Sequence, residues 1–338
     1  MFVTGSYITV GDYEFPFCCE VEIVSDIDTL TDTCRITLPR LYADGDRLKS
    51  LDVKNIALGD DLILRRKDKV VVQFGYDGYL KTEFIGFVKN IKPGTPVTIE
   101  CEDYMLLLKE KPLTATFGPG TTLASLLQAI LPKEVKYKAI DVHIGEWRLN
   151  KISAARVLEE LKSKMGLFFY FMLIDEGNGP EPILYAGWAF NVDNRVEEEF
   201  KFGHNIINGD NLVYRRKEDV RLKLKVINIS GDNKRTEYEL GDEDGETRTV
   251  HYYKLDAATM KLRAEKDLER FKYTGYQGSF ETFGEPSVRP NDIANITGNV
   301  YHPSGKYLIK KVIKRCGVST GMKQTIEPNQ LINDSTAA

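Results

Sequence analysis

Four kinds of residue group in this 338-residue chain have types and spacings suited to chemistry. Glu100-Cys101-Glu102-Asp103 is the strongest acid/base candidate. Glycoside cleavage uses two carboxyl groups held across a sugar. Glu100 and Glu102 fall on one face of a strand, where mutual repulsion would raise a pKa. Asp103, however, directly precedes Tyr104-Met105-Leu106-Leu107-Leu108 and suits a helix cap. The histidines His143, His204, His251 and His302 are scattered, without the paired spacing of a metal site. Phe117-Gly118-Pro119-Gly120-Thr121-Thr122 precedes a helix as a phosphate loop does, but lacks the Gly-Lys-Ser/Thr that holds phosphate and magnesium. Arg65-Arg66-Lys67 and Arg215-Arg216-Lys217 are each followed by an acidic residue and read as solvated turns.

The five cysteines are Cys18, Cys19, Cys34, Cys101 and Cys316. Their odd number and the absence of a second pair at zinc-ligand spacing argue for plain buried or half-buried thiols. No residue is assigned a catalytic, cofactor-binding or metal-binding role. Net charge is -4, without the basic excess that neutralises nucleic-acid phosphates. The start of the chain lacks a basic, then apolar, secretory pattern, and the longest apolar run, around Leu167 to Ile174, is too short to span a bilayer. The expectation is synthesis in the cytoplasm, no stable membrane insertion and no specific nucleic-acid binding.

The elements that must position these residues are mostly strands. Tyr13 to Val24, Cys34 to Leu38, Asp61 to Leu64, Lys69 to Phe74, Phe84 to Ile91 and Val97 to Cys101 read as short strands parted by turns such as Gly75-Tyr76-Asp77-Gly78. Such spacing suggests a small barrel or sandwich. The character changes after Lys111-Pro112. Thr121 or Thr122 caps a helix with Leu123, Leu126, Leu127 and Ile130 on one face, ended by Pro132. A second helix starts near Ser153, lines up Val157, Leu158, Leu161 and Met165, and stops at Gly166. Strands follow over Leu167 to Ile174 and Ile183 to Trp188. Later strands include Leu222 to Ile229, Thr236 to Leu240 and Thr247 to Leu255, with a hairpin tip at Gly231-Asp232-Asn233. A third helix, capped by Asp256, presents Met260, Ala264, Leu268 and Phe271.

Two stretches share a layout. Gly59-Asp60-Asp61-Leu62-Ile63, Phe84 to Lys89 and Val97-Thr98-Ile99-Glu100 are echoed by Asn291 to Ile296, Tyr307 to Lys311 and Gln324-Thr325-Ile326-Glu327. The fold class is therefore α+β, mainly β: two related β-barrels, over 1–111 and 201–332, flank a small α/β insert over 112–200. The second barrel carries one helix, and 333–338 forms a disordered tail.

The ordered set Gly59-Asp60-Asp61-Leu62, Phe84-Ile85-Gly86-Phe87-Val88, Glu100 to Met105, Ala264-Glu265, Leu268, Phe271, Tyr273 to Phe280, Phe283-Gly284, Pro286 and Pro290-Asn291-Asp292 resembles phage tail hub proteins. That family includes the phage Mu hub protein and the N-terminal part of type VI spike proteins. The family-motif positions are Asp60, Gly86, Glu102, Asp103, Gly275, Gly278, Phe280, Gly284, Pro290 and Asp292. The resemblance implies a non-enzymatic structural subunit of a baseplate. It would be a homotrimer whose duplicated barrel makes a pseudo-six-fold ring between a hexameric tail tube and a separate trimeric spike protein. Other baseplate subunits would surround it in a phage virion tail or phage-like particle, and the basic turns would meet an acidic tube or spike subunit. The alternative is a tail-associated cell-wall hydrolase or carbohydrate-binding module acting through Glu100, Glu102 and Asp103.

Overall fold

A computed structural model describes residues 3–39, 41–44, 47–50, 64–92, 94–175, 177, 179–188, 195–230, 234–298 and 304–332. Asp60, Asp61, His302, the tip at 231–233 and the tail 333–338 lie outside the described residues. The chain is mainly β, as its alternating apolar pattern requires. Helices are α1 (Met105–Leu108), α2 (Leu123–Ile130), α3 (Ala154–Met165) and α4 (Ala257–Phe271).

Strands from both ends of the sequence join one sheet of thirteen. Its centre is the hairpin of Glu20–Asp26 and Thr33–Leu38, with Ile23 opposite Cys34. On one side Thr33–Leu38 pairs with Val97–Glu102, and Ile36 faces Ile99. On the other side Glu20–Asp26 pairs with Gly305–Gly317, and Val24 faces Ile313. Each of these outer strands belongs to a long hairpin: Ile91 opposes Ile99 in the first, and Val312 opposes Ile326 in the second. The two echoed sequence stretches thus form the same kind of antiparallel pair. They enter the sheet differently, the first through its second strand and the second through its first. Among the described residues the expected barrels do not close as separate sheets. Pairing of Lys311–Gly317 with Glu20–Asp26 instead makes one open path through both halves.

The strand expected over Tyr13 to Val24 is two strands, Tyr13–Phe15 and Glu20–Asp26. Pro16, which lacks an N–H for the ladder, stands at the break. Along Thr33–Leu38 alternate residues are buried, and Cys34, Ile36 and Leu38 join a core with Ile8, Val21, Val72, Phe74, Ile99, Cys316 and Met322. A second core gathers Phe200, Tyr276, Phe280, Ile296, Tyr307, Ile309 and Ile326. The largest apolar cluster packs α1, α2 and α3 on the three-stranded sheet containing Phe168–Asp175 and Pro180–Gly187. Strand Leu222–Ile229 serves two cores at once. Leu224 and Val226 pack with Tyr252, Met260 and Ala264 of α4, while Ile227 and Ile229 reach the α1–α3 cluster. Burial on both faces is the property that turns a strand into a connector between layers.

The three longer helices are set by their ends. Thr122 and Ser125 form a reciprocal capping box at α2. Ser153 Oγ accepts from the Arg156 N–H at α3, and Gly166, at φ 68°, ends it in the left-handed conformation. Asp256 accepts from the Ala258 and Thr259 N–H groups at α4.

Candidate functional site

The acidic cluster resolves into ion pairs and a cap. Glu102 is 4% exposed. Its carboxylate takes Lys89 Nζ at 2.6 Å and Lys109 Nζ at 2.5 Å. Burial alone would raise this carboxyl, but the two lysines outweigh it and hold it below its ordinary value. Glu100 is held low by Lys92 and then Asn90. The repulsion expected to raise one of these carboxyls is therefore overturned, because each has its own cation. Gly86 makes room for this strand end: a Cβ there would meet the Glu102 carbonyl at 2.3 Å.

Asp103 caps α1, as its position before the apolar run implies. Its Oδ1 accepts from the Met105 N–H at 2.9 Å, and its Oδ2 accepts from the Asp32 N–H at 3.0 Å. Burial and then the neighbouring Asp32 charge push the Asp103 carboxyl well up. Asp32 itself is pushed up to about 7, mainly by burial. Neither residue lines the cavity of Asp141, His143 and His251 or that of Arg221, Glu246 and Tyr273.

The C-terminal motif positions build a clasp. Pro290 and Asn291 form a turn with Asn291 at φ 76°, a conformation asparagine tolerates. Asp292 holds it, with Oδ2 accepting from the Arg289 N–H at 2.8 Å and Oδ1 from the Val196 N–H at 3.2 Å. Burial raises this carboxyl. Arg289 then reaches outward to the Leu173 carbonyl at 2.6 Å and the Thr82 carbonyl at 3.3 Å. Ser287 Oγ donates to Glu83 at 2.9 Å and accepts from Lys314 Nζ at 2.6 Å. Lys314 and Glu83 are paired at 2.5 Å with side chains 8% and 2% exposed. Burial lowers the lysine's pKa, with Glu83 pulling the other way. Lys81 binds Glu285 at 2.9 Å, and Gln324 Nε2 donates to the Pro286 carbonyl at 2.5 Å. One segment, 285–292, is thereby bonded to the N-terminal strands, the α/β insert and the C-terminal hairpin.

The other motif residues support the clasp from below. The Gly284 N–H donates to the Met322 carbonyl at 3.0 Å. Phe280 stacks edge-on to Phe200 at 5.3 Å. Gly275 lies against the Tyr307 hydroxyl, which accepts from the Tyr276 N–H at 2.9 Å. Gly278, at φ 103°, brings the backbone onto the Asn211 carbonyl, where a Cβ would stand 2.0 Å away. Gly86, Glu102 and Asp103 thus gather where the N-terminal strands meet α1, and the C-terminal set gathers at and below the clasp. Glu83, Ser287, Arg289 and Lys314 were not singled out by sequence reasoning. A lone glutamate beside Phe84 and a lysine within an apolar strand announce no partner, since Glu83 and Lys314 lie 231 residues apart.

In the loop Phe117 to Thr122, Thr121 Oγ1 donates to the Gly118 carbonyl at 2.7 Å, and Thr122 caps α2. Lys67 of the first basic turn pairs with Glu110 at 2.7 Å. Among the described residues no group of three His, Cys, Asp or Glu side chains is placed to hold a metal ion, and no helix is long and apolar enough to cross a membrane.

No family model matches the sequence, and no curated protein is similar to it by sequence. Solved structures do share the fold over nearly the whole chain. The tail protein from Neisseria meningitidis MC58 has a TM-score of 0.61 at 12% identity, covering 98% of this chain and 97% of its own. The 43 kDa tail protein of prophage MuSo2 from Shewanella oneidensis has a TM-score of 0.61 at 13% identity, covering 98% of each chain. The E. coli c3393 protein, described as a type VI secretion component with structural similarity to the T4 tail proteins gp27 and gp5, has a TM-score of 0.59 at 11% identity. The match covers 97% of this chain and 77% of that one. The chain has the fold of phage tail and baseplate proteins.

Proposed function

We propose that this protein is a structural hub subunit of a phage-like tail, assembling as a homotrimer that adapts a hexameric tube to a separate trimeric spike. The observation that carries this reading is the end-to-end fold match to tail proteins. It is supported by the two similar hairpins, Tyr79–Lys92 with Val97–Glu102 and Gly305–Gly317 with Gly321–Leu331, which stand on opposite sides of the central hairpin. A chain that carries two barrel-like lobes, one per hairpin, presents six lobes as a trimer, which meets six-fold symmetry on one side and three-fold on the other. Glu100 and Glu102, two of the three carboxyls of the hydrolase alternative, are held ionised by lysines, which speaks against either as its proton donor.

Sedimentation velocity over a wide concentration range tests the assembly. The expected species has three times the 38.4 kDa mass of one chain and grows in with concentration. A dimer that persists at every concentration would contradict the trimer, because two-fold symmetry cannot join the two partners.

A further inference from the structure

The register of the large sheet gives the molecule two unlike ends. Gly317 stands beside Glu20, Glu20 beside Thr37, and Thr37 beside Thr98. Lys92 pairs with the same Thr98. The turns of the two similar hairpins, 93–96 and 318–320, therefore lie along one rim. Their strands are also offset alike. Tyr79–Lys92 stands four places from Gly305–Gly317 in the sheet, and Val97–Glu102 stands four places from Gly321–Leu331. At about 4.8 Å between neighbours, that offset is roughly 19 Å along the sheet. Strands alternate in direction along this path, so an even offset keeps direction. The hairpins are thus related by rotation about an axis along the strands, as neighbours in a ring are. A two-fold axis across the strands would put the turns at opposite ends.

The opposite rim is covered by the α/β insert, which occurs once per chain. Ile27, in the turn between Glu20–Asp26 and Thr33–Leu38, packs with Tyr170 and Tyr185. Leu30 of the same turn packs on the cluster of α1, α2 and α3, and Lys162 of α3 donates to the Ile27 carbonyl at 3.4 Å. Both basic turns lie toward this rim. Lys67 pairs with Glu110, just past α1, and Arg215 lines a cavity with Lys310, whose ammonium is 3.0 Å from Asp28. The rim of the two hairpin turns differs in chemistry. Neither turn carries a charged residue, and Lys92 beside the first is paired with Glu100. Gly94, Thr95, Pro96 and Ser319 are exposed, and Val318 is 88% exposed.

We propose that the rim carrying turns 93–96 and 318–320 is the face that meets the six-fold partner, the end of a tail tube, and that both turns of each chain make equivalent contacts with it. The proposal rests on the assembly reading above. Three chains in a ring present six such turns at one end, one for each subunit of a six-fold surface. At the other end they present three inserts, which suit a three-fold partner. The turns offer an apolar and hydroxyl-bearing contact without charge, so the tube surface they touch is uncharged too, and the contact depends little on salt. The basic turns, which the sequence suggested for a tube or spike contact, fall to the insert rim.

The full chain in a Cys19→Ser background keeps only buried thiols. Thr95→Cys, Ser319→Cys and, on the exposed side of α3, Glu159→Cys are labelled with a small gold maleimide, and the rings are imaged end-on and from the side. Thr95→Cys with Ser319→Cys should give six gold particles on one face, and Glu159→Cys three on the other. Tube subunits purified from the same tail are then added to unlabelled rings, which should cap the tube by the turn face at low and at high salt. Thr95→Arg with Ser319→Arg should weaken capping roughly tenfold or more, because the new charges find no partner on the tube. Failure of the chain to form a ring would remove the assembly reading and this proposal with it. Three results would overturn the proposal while the assembly reading stands: rings whose two turn labels lie on opposite faces, capping by the insert face, or unchanged capping by a folded Thr95→Arg, Ser319→Arg ring.

Discussion

Burying a lysine beside a glutamate removes both from water, and the attraction between them only partly offsets that cost. Lys314 and Glu83 therefore matter most for what happens when one of them is removed. Lys314→Met leaves an unpaired carboxylate under the clasp and should cost about 3–5 kcal/mol in denaturant unfolding. The double variant with Glu83→Met should recover most of that loss, because no buried charge remains. A double variant as unstable as the single one would show that the pair acts through geometry rather than charge. Asp32 supplies a pH test. Its carboxyl is pushed from 3.8 to about 7 in the folded chain, chiefly by burial. Between those values the folded state holds a proton that the unfolded state has released, so its contribution to stability falls as pH rises through the window. Asp32→Asn should flatten that fall and raise the melting temperature at pH 8 relative to pH 4. An unchanged pH profile would mean that Asp32 stays ionised. Cys18, Cys34, Cys101 and Cys316 are buried and Cys19 is half-buried. A thiol reagent should label Cys19 in the native protein and the remaining four only after unfolding.

The helices were legible at the scale of elements because their signals are local. Thr122, Ser153 and Asp256 stand where their hydroxyl or carboxyl oxygens reach the first free N–H groups, and the apolar spacing behind each gives the buried face. The strands were legible where alternation is clean, as in Thr33–Leu38. Tyr13 to Val24 misled because aromatic and β-branched residues continue across Pro16, and propensity gives no notice of a missing ladder bond. The union of both halves in one sheet was not legible, since it depends on pairing between Glu20–Asp26 and Gly305–Gly317 across most of the chain. The clasp shows the same divide. Pro290, Asn291 and Asp292 carry a turn signal in their own types, whereas Arg289 finds the Leu173 and Thr82 carbonyls through tertiary structure alone. Gly166 provides the element-scale prediction. Gly166→Ala places a side chain at φ 68° and against His251. The cost should exceed the roughly 1 kcal/mol of a left-handed alanine, because the histidine ring must also move. A change within 0.5 kcal/mol of neutral, the usual surface effect, would show that the loop relaxes freely.

Across the whole molecule, the functional account rests on shape and repetition. The fold runs end to end with tail proteins at 12–13% identity, a level at which packing patterns persist after most side chains have changed. The two hairpins are similar in pairing but joined to the central hairpin through different strands, so the six lobes of a trimer would be alike without being identical. Such a ring has three-fold symmetry in detail and six-fold symmetry in outline. Electron microscopy of the purified protein, at concentrations where it associates, tests this most directly. Averaged end-on views should show a closed ring with a central opening, six lobes and three-fold symmetry. Rings of any other order, or two-fold particles without an opening, would contradict the account.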